Sequence, residues 1–278
     1  MTSITSKAIW IIERNSERRL TLTAVAKACG VSRSHLAYAF GEATGLSVMR
    51  YLRARRLSEA ARALSRGAPD ILAVALEAGY GSHEAFTRAF REQFGMTPEA
   101  VRHRRSLIGL SVLNPMEMKA EAKIRLEPPT LVAGEAMRVV GLSEHCSWES
   151  TIKIPAQWQR FMPYAGGIAD RLDRMPLGLT HAADDEGQFE YMCGVEVARF
   201  GENSSELRQL DIPRRTYAVF QHSCHIAAVR ETYFAIWNRA LLELGRTVAD
   251  APVIERHNPT FDSRTGEGGI AIAIPLAA

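Results

Sequence analysis

The sequence predicts an α+β protein, with an all-α N-terminal domain followed by an α+β C-terminal domain. Near the N-terminus, two helix-turn-helix patterns recur about fifty residues apart with one long amphipathic segment between them. The rest of the chain alternates strand patterns with helical stripes in two similar halves, each ordered strand, helix, strand, strand. We therefore expect residues 1–106 to form the first domain, residues 107–121 a linker and residues 122–278 the second domain.

The two helix-turn-helix patterns match closely, with one extra residue in the second turn, because Gly30 and Gly79 lie forty-nine positions apart. Three pairs of equivalent residues lie fifty positions apart: Leu36 and Phe86, Phe40 and Phe90, and Gly45 and Gly95. Gly30 and Gly79 are expected to make the left-handed turn between the two helices, a conformation that a residue with a Cβ resists. A single pattern of this kind is a weak signal because any helical hairpin can supply it. Two copies joined by one helix are far more specific.

The segment from about residue 47 to residue 65 predicts the joining helix. Its apolar stripe has helical spacing and arginines beside it: Met49, Leu52, Leu57, Ala60, Ala61 and Leu64. At about 1.5 Å per residue, such a helix could hold two recognition helices about one turn of B-DNA apart. One monomer could then enter two successive major grooves, so dimerisation is not required for DNA binding.

Charge is distributed unevenly along the chain, whose net charge is +3. Residues 1–112 hold 17 Lys and Arg against 9 Asp and Glu, a balance of +8, and the remaining residues carry −5. A basic domain releases counterions when it neutralises phosphates. The candidate phosphate contacts are Arg50, Arg53, Arg55, Arg56, Arg88, Arg91, Arg102, Arg104 and Arg105. Alternatively, several of them only solvate exposed helix faces.

Helical geometry, together with the family resemblance described below, also gives candidate DNA-contacting residues. They are Arg33, Ser34, Tyr38, Arg53, His83, Glu84, Thr87 and Arg88. Arg88 could donate two hydrogen bonds to guanine, and Glu84 could accept one from the cytosine amino group. The alternative role for Glu84 is that of a first-turn carboxylate favoured by the helix dipole.

The N-terminal region resembles the AraC/XylS family of bacterial regulators over roughly residues 7–105. The resemblance rests on both helix-turn-helix units and on the tail Ala78-Gly79-Tyr80, Phe86-x-x-x-Phe90, Phe94-Gly95 and Thr97-Pro98. It implies a transcriptional regulator that binds double-stranded DNA, with RNA polymerase as an expected partner. Family members often carry bulky polar or basic side chains where this chain has Ala37 and Tyr38. This departure weakens the expectation that the first helix contacts bases beyond Arg33 and Ser34.

The C-terminal region contains strand and helix patterns in alternation. Predicted strands cover residues 131–140, 177–182, 189–197, 216–222, 253–257 and 269–275. Predicted helices cover residues 154–161, 169–172 and 226–245. Because the order repeats, we expect two related halves around a central groove.

This region resembles a GyrI-like effector-binding domain over roughly residues 122–276. The matching motifs are Phe189-x-Tyr191-x-x-Gly194-Val195-x-Val197, Ile212-Pro213-x-x-Thr216-Tyr217-Ala218-Val219-Phe220-x-His222, Tyr233-x-x-Ile236-Trp237, Pro252-Val253-Ile254-Glu255 and Ile270-x-Ile272-x-Ile274-Pro275-Leu276. The order of the two domains is similar to that of Rob-type regulators. The resemblance implies a groove for a small amphipathic effector, often cationic or aromatic.

We expect Trp148, Tyr191, Trp237 and Glu255 to line this groove, because aromatic rings and a carboxylate together attract a cation. The resemblance places a pocket glutamate at Glu255, although His257 stands where a tyrosine is common. Trp237 has an alternative role as ordinary core on its helical stripe. Glu255 could instead pair with Arg256 or remain in solvent.

Two other functions stay open for the C-terminal domain. Some GyrI-like proteins hydrolyse reactive small-molecule toxins, a reaction in which Glu255 could act as base and Tyr191 could orient the substrate. The domain could also bind a protein partner without a small ligand. We expect a non-enzyme without catalytic residues, metal or cofactor, located in the cytoplasm and outside membranes. The four cysteines lack metal-site spacing: Cys29, Cys146, Cys193 and Cys224.

Overall fold

The computed structural model describes residues 2–116 and 124–278 of the chain. The helices of the N-terminal region are α1 (Ile4–Asn15), α2 (Leu22–Cys29), α3 (Arg33–Thr44), α4 (Val48–Ser65), α5 (Ile71–Glu77), α6 (His83–Phe94) and α7 (Pro98–Arg104). Helices α2 and α3 form the first helix-turn-helix unit, and α5 and α6 form the second. Helix α4 connects them, which confirms the predicted organisation of this region.

Both units have the same backbone plan for the predicted local reason. The backbone is left-handed at Gly30, with φ of 76°, and at Gly79, with φ of 84°. Each recognition helix then starts after a serine N-cap, Ser32 for α3 and Ser82 for α6, whose hydroxyl accepts a backbone hydrogen bond. The difference between the two units therefore lies in their side chains and surroundings.

The two units belong to different hydrophobic cores. The first half of α4 contributes Tyr51 and Leu52 to a core shared by α1, α2, α3 and the C-terminal domain. The second half contributes Leu57 and Leu64 to a separate core with Phe86 and the other apolar residues of α5, α6 and α7. The first unit is thus packed together with the C-terminal domain, whereas the second unit has a core of its own.

The chain after α7 runs back along α4. Leu110 packs into the second core, and the backbone N–H of Leu113 donates to the Ser58 hydroxyl at 2.9 Å. Residues 117–121 of the predicted linker and residues 122–123 of the predicted second domain lie outside the described residues. The proposed domain boundary therefore stays a prediction.

The C-terminal domain is built on an antiparallel sheet. Its strands are β1 (Thr130–Gly134), β2 (Met137–Ser147), β3 (Leu177–His181), β4 (Gln188–Val197), β5 (Arg208–Ile212), β6 (Arg215–His222), β7 (Val253–His257) and β8 (Ile270–Pro275). Their order across the sheet is β1-β6-β8-β7-β3-β4-β2-β5, so the two predicted halves meet where β3 pairs with β7. Helix α8 (Ile154–Ala165) belongs to the first half, and helices α9 (Val229–Ala235) and α10 (Leu241–Leu244) belong to the second.

Two local predictions in the first half were wrong. The predicted strand over residues 131–140 is two strands, β1 and β2, because the chain turns after Gly134. The predicted helix over residues 169–172 is a turn, since Asp170 has φ of 52° and Arg171 forms an isolated bridge to β4. Polar periodicity in this short segment resembled a helical turn.

The predicted helix over residues 226–245 is present but interrupted. It begins with a 3-10 turn, and a π-helical segment, Ile236–Ala240, separates α9 from α10. Such widened turns occur frequently at functional sites. Trp237 lies in this segment.

Strand alternation decides which residues face the helices. Tyr191 and Val253 belong to the large core on the helical side of the sheet, whereas Met192 and Ile254 belong to a smaller cluster on the other side. Glu255 has the same parity as Val253 and therefore projects towards α8 and α9.

Candidate DNA-binding surface and effector site

The recognition helix of the second unit, α6, faces solvent with the residues that the sequence predicts for DNA. His83, Glu84 and Arg88 are exposed, and Thr87 is partly buried. Together with Arg91, they border a shallow surface depression that runs along the helix to Gly95. This surface has the basic and hydrogen-bonding side chains that contact phosphates and base edges.

Glu84 also has a local partner set. Its own backbone N–H and the Ser82 hydroxyl lower the pKa of the Glu84 carboxyl, in that order of size. A negative charge in the first turn of α6 is therefore stabilised without any DNA. The base-contacting role proposed for Glu84 stays a prediction.

The recognition helix of the first unit, α3, has a different environment. Tyr38 was expected on the outward face but is only 7% exposed, because α3 packs against the C-terminal domain. Its ring stacks on Trp237 with the ring centroids 4.6 Å apart and meets Trp148 edge-on at 5.3 Å. Its hydroxyl is 3.4 Å from the carbonyl oxygen of Thr180 on β3. In this arrangement Tyr38 is not available to DNA.

Arg33 remains at the surface beside Tyr38 and is ion-paired with Asp185. Two arginines at the start of α4 also pair with acidic residues of the C-terminal domain, Arg50 with Glu149 at 3.1 Å and Arg53 with Glu186 at 2.9 Å. Ser34 is partly buried near the start of α3.

Two other arginines in the predicted phosphate set have structural roles. Arg55 is buried and pairs with Glu13, and its guanidinium also donates to the carbonyl oxygen of Leu113. Arg56 donates to the backbone carbonyl of Ser16 at 2.6 Å. These two side chains hold α4 against neighbouring segments.

The centre of the C-terminal domain carries a carboxylate held by two phenols. Tyr191 donates to Glu255 Oε2 at 2.6 Å, and Tyr233 donates to Glu255 Oε1 at 2.5 Å. Trp158 Nε1 in turn donates to the Tyr191 oxygen at 3.2 Å. Glu255 and Tyr233 come from the second half and Tyr191 and Trp158 from the first, so this cluster lies at the junction of the halves.

Gly178 leaves the room for this cluster. It pairs with Glu255 across the β3–β7 junction, and a Cβ at this glycine would lie 2.7 Å from Glu255 Oε2. Any larger residue would push the carboxylate away from Tyr191. The bare backbone at residue 178 therefore permits the hydrogen bond between the halves.

Both phenols stay protonated donors. Burial, followed by the charge of Glu255, raises the pKa of Tyr191 and of Tyr233 well above the ordinary tyrosine value. The carboxylate is thus fixed in position by two neutral O–H groups rather than by a cation.

We define the aromatic groove as Trp148, Trp158, Tyr191, Tyr233, Trp237 and Glu255. The definition includes the four residues predicted to bind the effector, Trp148, Tyr191, Trp237 and Glu255, and their role in binding stays a prediction. Trp237 lies in the core with no exposed surface, yet Tyr38 covers its ring and its indole N–H has no hydrogen-bond partner among the described residues. Both proposed roles of Trp237, core and groove, describe part of this environment.

Arg256 settles the alternative pairing of Glu255. Its guanidinium pairs with Glu196, and Arg256 has the opposite strand parity to Glu255. His257 stacks on Phe261 with the centroids 4.2 Å apart. The hypothesis that Glu255 pairs with its neighbour Arg256 is therefore wrong.

Helix α3 contributes a second carboxyl to the same region. Glu42 lies one helical turn beyond Tyr38 and is partly buried. Burial raises the pKa of Glu42 to about 7, with Arg230 opposing the rise and Glu255 adding to it. The docked helix thus brings a second acidic group towards the electrostatic field of Glu255.

Buried hydrogen bonds fix the contact between α3 and the π-helical segment. His35 Nε2 donates to the carbonyl oxygen of Trp237 at 2.7 Å. The Asn238 side chain accepts from the Thr5 backbone N–H at 3.0 Å and donates to the Ala39 carbonyl at 3.2 Å. Each buried donor faces an acceptor, so these hydrogen bonds fix the position of α1 and α3 relative to the π-helical segment.

The sequence interpretation missed Trp158, Tyr233, Thr180 and Glu42 as residues of this region. Tyr233 could have been found because it lies four residues before Trp237 and so shares its helix face. Glu42 could not, because its neighbours in the C-terminal domain lie about two hundred positions away in the sequence. Only the docking of the two domains brings them together.

The described ranges contain neither a membrane-length apolar helix nor a group of three or more side chains arranged to hold a metal ion. Cys29, Cys146 and Cys193 are buried, whereas Cys224 is exposed. The site chemistry rests on aromatic rings, carboxylates and phenols.

Comparisons with known proteins match both regions. Residues 25–104 match a helix-turn-helix domain, and residues 127–277 match the GyrI-like small molecule binding domain. The transcriptional regulator Rob of Salmonella typhimurium is 26% identical over 271 residues, covering 93% of this chain and 91% of that protein. The right origin-binding protein of Escherichia coli K12 is 26% identical over 277 residues, covering 96% and 94%. The regulatory protein SoxS of the same strain is 37% identical over 93 residues, covering 34% and 87%.

Proposed function

Because this chain belongs to the GyrI-like small molecule binding family and is an AraC-type, DNA-binding transcriptional regulator with the Rob-type domain order, we propose how its two parts work. Its two helix-turn-helix units bind adjacent major grooves of double-stranded DNA. Its aromatic groove binds a small amphipathic effector, aromatic or cationic, and RNA polymerase is its partner at the promoter.

The DNA part of the proposal is supported by the shared backbone plan of the two units and by the exposed face of α6. Arg88 and His83 project from α6 without an ion-pair partner among the described residues. Helix α4 has 18 residues, which corresponds to about 27 Å at the usual rise. This length suits two units that contact neighbouring grooves of one duplex.

The single observation that carries the effector proposal is the carboxylate of Glu255 held between two phenols, one of which also accepts a hydrogen bond from Trp158. Aromatic faces and a fixed negative charge attract a cation together. Since Tyr191 and Tyr233 hold both carboxylate oxygens, the charge keeps its position when a ligand enters. Because the relatives are transcriptional regulators, we propose that this carboxylate binds an effector rather than hydrolyses a substrate.

Titration with a matched ion pair tests the effector proposal. We expect tetraphenylphosphonium to bind the full chain and tetraphenylborate, which has the same shape and the opposite charge, to bind at least about tenfold more weakly. Calorimetry measures both affinities. Equal affinities would show that the carboxylate does not select charge, and absence of binding by either ion would contradict the effector proposal.

Selection from a random pool of duplexes tests the DNA proposal. We expect the full chain, with tetraphenylphosphonium present, to enrich a site with two short motifs about one helical turn apart. A selected site with one motif only would contradict simultaneous binding by both units.

A further inference from the structure

We propose that helix α3 is the internal occupant of the aromatic groove, so that effector binding and DNA binding by the first unit are coupled by direct competition. This inference rests on the proposed function of the groove and specifies how it is regulated. Without effector, α3 is docked and only the second unit is free to bind DNA. The effector displaces α3 and releases the first unit.

The first argument is that Tyr38 occupies the space a ligand needs. Its ring stacks on one face of the Trp237 indole, with an interplanar angle of 13°, and Trp237 has no exposed surface. An aromatic ligand stacked on Trp237 would have to take the same place. Tyr38 therefore acts as a tethered competitor for the groove.

The second argument is the fit of Gly41, which lies one turn after Tyr38. A Cβ at Gly41 would overlap the Trp148 indole, so the bare helix backbone lies against that ring. The equivalent residue of α6, fifty positions later, is Arg91. Helix α3 thus carries a flat aromatic and a glycine where α6 carries Arg88 and Arg91, and this surface fits the groove.

The third argument is the acidic turn of residues 184–187, with Glu149 nearby. Asp185, Glu186 and Glu149 pair with Arg33, Arg53 and Arg50, three basic side chains of α3 and the start of α4. A carboxylate that pairs with an arginine takes the place of a phosphate. Docking therefore masks both the recognition helix and the arginines that would neutralise DNA.

These pairs are suited to exchange. Each partner keeps roughly half of its side-chain surface exposed, so every pair contributes little and DNA phosphates can replace it. Competition also fixes the sign of the coupling. A ligand that binds only the undocked state must increase the affinity of the first unit for DNA, and DNA must increase ligand affinity by the same factor.

Removing the internal competitor tests this proposal. We expect Tyr38→Ala to bind tetraphenylphosphonium at least about fivefold more tightly than the natural chain, because no docked helix has to leave first. Trp10→Ala is the matched control, since Trp10 is an exposed aromatic residue of the neighbouring helix α1 outside the groove. If α3 were a permanent wall of the ligand site, Tyr38→Ala would weaken binding instead, which overturns the proposal.

A second variant weakens docking from outside the groove and leaves its lining intact. The double variant Asp185→Asn/Glu186→Gln removes two exposed ion pairs, so it has little reason to unfold. We expect it to increase both tetraphenylphosphonium affinity and DNA affinity by about two- to fivefold. Unchanged affinities in this variant and in Tyr38→Ala would overturn the proposal.

The DNA measurement separates this inference from the function on which it rests. We expect saturating tetraphenylphosphonium to tighten binding to the selected two-motif duplex and to leave binding to a duplex with only the α6 motif unchanged. If the cation binds and both duplexes respond equally or not at all, the competition is wrong while the effector site stands. If the cation does not bind, the proposed effector function fails, and the inference fails with it.

Discussion

The first and second helix-turn-helix units have the same left-handed glycine, the same serine cap and recognition helices of equal length, yet one is docked and the other is free. Helix α3 buries Tyr38 against the C-terminal domain, whereas α6 exposes Arg88 at the equivalent position. The comparison shows that a helix-turn-helix backbone alone does not decide what its recognition helix contacts. The side chains on the outward face decide whether it fits a groove in protein or in DNA.

The largest expected effect is a difference in DNA affinity between mutations in the two recognition helices. Arg88→Ala should weaken DNA binding by about 5- to 150-fold without effector, because a specific arginine–base contact is worth about 1–3 kcal/mol. Arg33→Ala should change it less than about twofold, since Arg33 is paired with Asp185. Fluorescence anisotropy on the selected duplex measures both. Similar losses for the two variants would mean that α3 and α6 are equally engaged.

The next effect concerns the charge of the groove. Glu255→Gln should weaken tetraphenylphosphonium binding by about tenfold and leave tetraphenylborate binding no weaker, because the amide keeps the shape and loses the charge. Glu243→Gln, on the exposed side of α10, is the control. Unchanged cation affinity in Glu255→Gln would remove Glu255 from the site. A turnover assay with an electrophilic substrate, abolished in the same variant, would favour the hydrolase alternative.

The docked state should also depend on pH through Glu42. Its pKa is raised to about 7 in the docked state, so docking favours the protonated carboxyl and weakens as the pH rises from about 4.5 towards 7. Burial lowers the pKa of His35 from its ordinary value of 6.5. When the pH falls below 6.5, protonation of His35 therefore weakens docking. Below pH 6.5 the two contributions therefore oppose each other, and above pH 6.5 the Glu42 effect remains alone.

Effector-free DNA binding measured from pH 6.5 to pH 8 checks this dependence. It should rise in the natural chain by less than about tenfold per pH unit, the limit for one proton. Glu42→Gln imitates the protonated carboxyl and should flatten the rise, whereas Glu92→Gln, at the equivalent exposed position of α6, should retain it. A rise that persists in Glu42→Gln would contradict this assignment.

The smallest effect is expected at the buried contact between α1 and the π-helical segment. Thr5→Val keeps the side-chain shape but loses the hydroxyl that contacts Asn238 Oδ1 at 2.8 Å. The loss of one such hydrogen bond costs about 1 kcal/mol, so effector-free binding to the two-motif duplex should tighten by up to about fivefold. Thr44→Val, whose hydroxyl bonds only within its own unit, is the control. Equal changes in both variants would argue against a specific docking contact.

The sequence predicted the elements better than their association. Periodicity placed both helix-turn-helix units, α4 and the two halves of the sheet, because these features depend on local spacing. Tyr38 was a visible departure, since a recognition helix seldom places an uncharged aromatic residue where Arg88 stands in α6. The sequence could not show what covers Tyr38, because Trp148 and Trp237 approach it only after the two domains dock.

The effector residues show the same limit. Tyr191 and Glu255 were named from resemblance and strand position, and the structure brings them within hydrogen-bond distance. Their fixation by Tyr233 depends on how α9 lies over the sheet, a packing property that no single motif encodes. Their role in effector binding stays a prediction until a ligand is measured.

Hydroxyl-radical footprinting of the natural chain, with and without tetraphenylphosphonium, tests the docked state most directly because it reports side-chain exposure. We predict that Tyr38 is protected without the cation and becomes reactive when the cation saturates the protein, while Trp237 stays protected because the cation replaces Tyr38 on its ring. Tyr51, buried on α4, serves as the internal control. A Tyr38 that reacts freely without the cation, or stays protected at saturation, would contradict competition between α3 and the effector.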